Sequence, residues 1–374
     1  MVIGDKQSQK AGNNSQLMQA GIINYYNGID EKRAREICEE TFEIVRRDFT
    51  ADANAYANER VRKLEEALIP KMQQIDGALT AFADPSFQFL LISAQKAAAA
   101  TERDSDYDML SQLLIYRITK GQARKNRAGI SRAIEVIDKI DDDALCALTM
   151  LYAAHHLVPV AGSCKAGLDA LADLFEKLMY MELPKGTDWI EHLDILDAVR
   201  IHSSQPLIEF DKYCSTMMPG YSCAGIRVGT EAYRNALDQL KSVELASSFL
   251  LQSELLEDYV RLPVVEKSGI DDLRIKRQII IDEKLVEVST PISEKESLAL
   301  KAIWDMYSTD VQEKKAAISA FMSMWDSYPP LKQLHTWWNS LSVYFSITRV
   351  GSILAYTNAR RLDELIPDLP LERC

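Results

Sequence analysis

The sequence is poor in the features that mark familiar chemistries. It has six cysteines in 374 residues, and no two of them form a C-x-x-C pair, which argues against a disulfide-stapled scaffold and a paired-thiolate zinc site. There is no GxxxxGK[ST] loop, no GxSxG elbow and no HExxH helix, so P-loop, α/β-hydrolase and zincin chemistry find no support. Gly225-Ile-Arg-Val-Gly229 lacks the third glycine of a dinucleotide fingerprint. Positive charge is also short. Lysine and arginine total 43 against 55 acidic residues, a net charge of -12, which repels nucleic acid and anionic membranes. The first residues are rich in Gly, Asn and Gln and show no apolar secretory run, so a reduced, cytoplasmic setting is expected.

One stretch lacks charge altogether. Ala144 to Cys164 approaches the length of a membrane span. His155, His156, Pro159 and Gly162 interrupt it, and Asp141-Asp142-Asp143 precede it. A helix ending near Leu157 and buried in a helical core fits better, so no membrane partner is expected.

What is present reads as mainly α. Residues 1–29 form a short β arm, punctuated by Gly4, Gly12, Gly21 and Gly28 around Ile22-Ile23-Asn24-Tyr25-Tyr26. Strands this short need partners, and the nearest are copies of the same chain. A long amphipathic helix is expected over 30–78, with Asp30 as its N-cap, as a coiled coil or a packed helical hairpin. Leu17, Ile22, Ile23, Tyr25 and Tyr26 of the arm, with Phe42, Val45 and Phe49 of the helix, are the expected homo-oligomer contacts. A helical body over 79–262 follows, including a helix from Glu231 to Tyr259. A small α+β module over 263–374 completes the chain, with β-rich residues 274–289 and a strand at Val343–Thr348 feeding a helix at Arg349–Leu362.

Candidate chemistry is sparse. Arg117, Lys120, Arg124, Lys125, Arg127 and Arg132 form a basic connection with no acid between them. It could grip phosphates, although cations near a helix C-terminus and in a solvated loop account for it too. His155 and His156 are adjacent and point about 100° apart on a helix, so they cannot chelate one metal. Glu191, His192, Asp194, Asp197 and His202 have no metal-motif spacing. No metal and no cofactor is expected, and no catalytic residue is assigned. Cys214 and Cys223 read as free thiols, and Trp337-Trp338 as core.

The phrases Gly12-Asn-Asn-Ser-Gln-Leu-Met-Gln-Ala-Gly21 and Tyr26-Asn-Gly-Ile-Asp-Glu-Lys-Arg-Ala-Arg-Glu-Ile37 resemble the opening of an uncharacterised bacterial family with a GDNSxxxQAG…GI signature. Asn13 stands where that family usually has Asp. Asp84-Pro-Ser-Phe87, Leu110 to Ile118, the basic connection, Ile134 to Leu148, and Phe345-Ser-Ile-Thr-Arg-Val-Gly351-Ser-Ile-Leu-Ala355 are similar to Abi-alpha-type abortive-infection proteins. That resemblance implies a phage-defence context and transfers no functional residue. The sequence therefore leads to a self-associating, non-enzymatic helical protein that binds an unidentified protein partner. Two alternatives stand beside it: a toxic effector enzyme or nucleic-acid binder acting through residues 117–132, and a membrane-active effector.

Overall fold

The computed structural model describes residues 29–47, 49–121, 123–202, 207–281 and 284–368. The expected β arm, with Leu17, Ile22, Ile23, Tyr25 and Tyr26, lies outside these residues. The described chain is mainly helical, with a few short antiparallel strands.

The opening pattern folds as two helices, α1 (Glu31–Arg46) and α2 (Ala51–Gln73), instead of one rod. Asp30 caps α1 by accepting the Arg33 N–H at 2.8 Å, and Thr50 restarts the helix by capping α2. The two run antiparallel: Arg35 reaches Glu65 at 2.8 Å, and Gln73 reaches Glu31. Of the two forms the sequence leaves open, the described structure is the packed hairpin. Much of the apolar surface of both helices is buried in the large core they share with the helices that follow, Phe42, Val45, Leu64 and Leu68 among it, while Ile44 and Tyr56 stay exposed.

The body continues with α3 (Pro85–Ala100), α4 (Asp104–Thr119), α5 (Arg124–Val136), α6 (Asp142–His156), α7 (Cys164–Leu178) and α8 (Asp188–Ile195). Every residue of α6 from Ala144 to Ala153 is buried. At 15 residues the helix is about 22 Å long, and no helix among the described residues is long and apolar enough to cross a membrane. The uncharged run is core from Ala144 to Ala153 and comes to the surface beyond it.

Strand β1 (Val199–His202) leads to α9 (Phe210–Met217), α10 (Pro219–Ser222), β2 (Ile226–Arg227) and α11 (Glu231–Ser242). The helix expected from Glu231 to Tyr259 stops early. Leu245 N–H turns back to the Leu240 carbonyl at 2.9 Å, Glu244 takes a positive φ of 59°, and the chain enters β3 (Leu251–Gln252) and β4 (Tyr259–Arg261). Helical periodicity in residues 245–259 loses to pairing of β4 with both β2 and β3.

The chain then forms the two-stranded ribbon β5 (Arg274–Ile281) and β6 (Lys284–Pro291), followed by α12 (Glu294–Trp304), α13 (Val311–Trp325), α14 (Pro329–Ser340), β7 (Tyr344–Ile347) and α15 (Arg349–Leu362). These elements divide between two cores. Leu300 and Ile303 of α12 pack with Ile226, Leu240 and Val260 in a small core. Phe321, Trp325, Leu334 and Ile353, from α13 to α15, join the large core that begins at Ala34. The packing thus crosses residue 263, where the sequence suggested a boundary.

Two contacts position the site. β7 pairs antiparallel with β1, Val199 opposite Ile347 and His202 opposite Tyr344. Helix α15 is buried from Gly351 to Ala359. A Cβ on Gly351 would lie 2.0 Å from the Ala198 carbonyl oxygen, so only glycine lets α15 approach the start of β1 this closely.

Candidate functional site

A pocket of about 360 Å³ opens where the end of α6 meets α9, α14 and β7. Leu151, His155 and His156 form one wall, Tyr213 and Trp338 another, and Tyr344, Phe345, Ser346 and Ile347 a third; Leu207, Ile208, Leu341 and Ser352 complete it. No lining side chain is acidic, lysine, arginine or cysteine.

The aromatic walls are fixed at their polar ends. Tyr213 OH donates to the Ala154 carbonyl at 2.9 Å, and Trp338 Nε1–H donates to the Ile208 carbonyl at 2.9 Å. Their rings stack, with centroids 4.5 Å apart. His155 lies 5.1 Å from Tyr213 and 5.7 Å from Trp338, and His156 sits 4.5 Å from Tyr152. Six of the thirteen lining residues therefore carry rings, and those of Tyr213, Trp338 and His155 are held by backbone carbonyls.

Both histidines are exposed on the pocket side. Even so, loss of water around the rings holds each below the ordinary imidazole range, and for His156 the neighbouring His155 adds to it. His155 Nδ1 lies 2.7 Å from the Leu151 carbonyl. A carbonyl only accepts, so Nδ1 carries the hydrogen and the neutral ring leaves Nε2 as an acceptor.

Ser346 Oγ lies 2.9 Å from His202 Nε2, the nearest approach to a nucleophile–base pair at this pocket. Among the described residues, no carboxylate orients the other nitrogen of His202, so the arrangement of a catalytic triad is incomplete.

The basic connection comes out differently. Arg117 donates to Ser86 Oγ at 2.8 Å. Lys120 pairs with Asp368 and lies over the rings of Tyr116 and Tyr356. Arg132 binds Asp197 at 3.0 Å and Glu135 at 3.3 Å. Arg124, Lys125 and Arg127 stand at the start of α5 and make no ion pair among the described residues. Arg127 still lies near enough to Asp84 to favour its charged form.

Of the expected oligomer contacts, Phe42 and Val45 are 7% and 2% exposed in the chain's own core, and Phe49 is partly buried against it. These side chains are therefore spent within the protomer. His192 Nε2 accepts the Asp141 N–H at 3.2 Å, and Asp197 is engaged by Arg132 and Arg200. Arg200 thus bridges Asp194 and Asp197, while His192 and His202 meet Asp141 and Ser346. Trp337 Nε1–H donates to the Pro184 carbonyl, inside the core.

Sequence reasoning passed over the pocket because its walls come from residues 151 to 352. The one local signal was a pair of histidines ending an uncharged helix without a polar neighbour.

A protein-family model described as “:-like” matches residues 28–370, so the chain belongs to that uncharacterised family, whose description assigns no activity. No curated protein and no solved structure matches the chain.

Proposed function

We propose that this protein is a helical binding protein that holds a small, largely apolar molecule in the pocket between α6, α9, α14 and β7. The observation that carries the reading is the pocket itself: about 360 Å³, walled by fixed aromatic rings and free of charged side chains. An apolar cavity of about 150 Å³ already admits benzene, so this one has room for a fused bicyclic molecule. Enclosed apolar sites with a few fixed polar groups are the usual form of ligand pockets.

The test uses N-phenyl-1-naphthylamine, a neutral probe whose fluorescence rises in apolar surroundings. The full chain should enhance its emission saturably. Ile208→Glu, which places a charge at a half-exposed pocket position, should abolish the rise. Enhancement indifferent to that substitution would end the reading.

Self-association through residues 1–29 is a separate proposal, supported by the glycine-spaced β pattern alone. Light scattering of the chain with and without these residues tests it, and an unchanged mass ends it. The phage-defence setting rests on the resemblance of residues 84–148 and 345–355. The phosphate-gripping alternative now rests on Arg124, Lys125 and Arg127.

A further inference from the structure

We infer that the ligand of this pocket is a neutral, planar heteroaromatic or phenolic molecule whose N–H or O–H donates to Nε2 of His155. The inference rests on the proposed function and adds the chemical class of the ligand.

Three observations carry it. The first is neutrality. No acidic or basic side chain other than the two histidines lines the pocket, and a charge brought there would lose water without gaining a partner. The second is planarity. Tyr213 and Trp338 are tied at their polar ends to the Ala154 and Ile208 carbonyls, so neither hydrogen is left to donate to a ligand, and the half-buried Tyr213 ring presents a flat wall that suits a planar molecule. The third is a fixed acceptor at His155. Because His155 Nδ1–H is committed to the Leu151 carbonyl, Nε2 presents a lone pair, and it has no partner among the described residues. A ligand that displaces water from that nitrogen must supply a donor or leave the acceptor unpaired. Sites built around one such bond reject analogues that lack the matching group far more strongly than they reject a change in apolar bulk.

Two isomers isolate that bond. 3-Methylindole and 1-methylindole have the same atoms and nearly the same volume, but only the first keeps its N–H. Calorimetric titration of the full chain should show 3-methylindole binding about tenfold tighter, the value of one unpaired buried acceptor. His155→Phe keeps a ring against Tyr213 and Trp338 but removes the acceptor, so it should bring the two affinities together. The wild-type comparison needs no variant and stands even if His155→Phe fails to fold. Equal affinity of the two isomers for the wild-type chain overturns the role given to His155 and leaves the pocket as a binding site. Absence of binding by both isomers overturns the inference together with the proposed function.

Discussion

The basic connection and the histidine pocket make opposite uses of their polar groups. Residues 117–132 concentrate six cations in sequence, yet folding assigns Arg117 to Ser86, Lys120 to Asp368 and Arg132 to Asp197. The pocket has few polar atoms; Tyr213 and Trp338 are tied to backbone carbonyls, while His155 Nε2 has no partner among the described residues. Charge density along a chain is thus a poor guide to a site. What matters is which groups remain unsatisfied after the fold has taken its share.

Several substitutions can break or sharpen that contrast. The largest effect is expected at a pocket wall. Trp338 is 3% exposed, and its indole packs against both Tyr213 and His155. Trp338→Ala should lower unfolding free energy by about 3–5 kcal/mol, as measured by urea titration, and abolish probe binding. A loss under about 1 kcal/mol would mean that the wall is not packed core.

Next come two glycines, one near each region. At Gly351 an added methyl meets the Ala198 carbonyl oxygen, which belongs to the backbone entering β1. At Gly129 of α5 it meets the Ile353 Cδ1 and Arg349 side-chain atoms, which can turn aside. Gly351→Ala should cost about 1–3 kcal/mol by overpacking and disturb β1–β7 pairing. Gly129→Ala should cost clearly less, because both helical glycines regain similar propensity on becoming alanine but only the one at 351 meets backbone. Equal losses in paired thermal melts would remove the distinction between a rigid wall and a yielding one.

The histidines add a pH dependence. Both are held below the ordinary imidazole range in the folded protein, whereas the unfolded chain takes up protons near pH 6.5. The unfolded state therefore binds more protons below that pH, and their stabilising contribution is present above it. It is lost as pH falls from about 6.5 to the folded-state values, below which it levels off. Denaturant midpoints between pH 8 and 5 should fall, and His155→Phe with His156→Phe should flatten the slope. An unchanged slope in the double variant would place the titration elsewhere.

The same contrast shows how far the sequence could be read. Local signals were legible: the uncharged run became buried α6, the strand and helix expected at 343–362 are β7 and α15, and Asp30 caps α1. Signals set by distant partners were not. Val199–His202 reads as nothing in particular and is a strand only because β7 lies beside it. Residues 245–259 keep a helix-like pattern, yet β2, β3 and β4 pair across them. Phe42 and Val45 carry the periodicity of an exposed seam, and tertiary packing buries them in the large core. The pocket belongs to this second class. His155 was visible as an isolated oddity, but Tyr213, Trp338 and Ser346 reach it only through tertiary folding.

The smallest effect is expected where the sequence looked most functional. Arg124 and Lys125 are exposed and lie in the first turn of α5, the end at which the helix dipole disfavours cations. Neither holds an ion pair among the described residues, so Arg124→Glu with Lys125→Glu removes no such contact and places acids where the dipole favours them. The double variant should change unfolding free energy by no more than about 0.5 kcal/mol, with stabilisation the expected sign. It should also leave the affinity for 3-methylindole unchanged, since neither residue lines the pocket. A large destabilisation would mean that these cations are spent within the fold, as Lys120 and Arg132 are. Salt-sensitive binding of a nucleic-acid oligomer to the wild-type chain, lost in this variant, would restore the connection as a site and reverse the contrast.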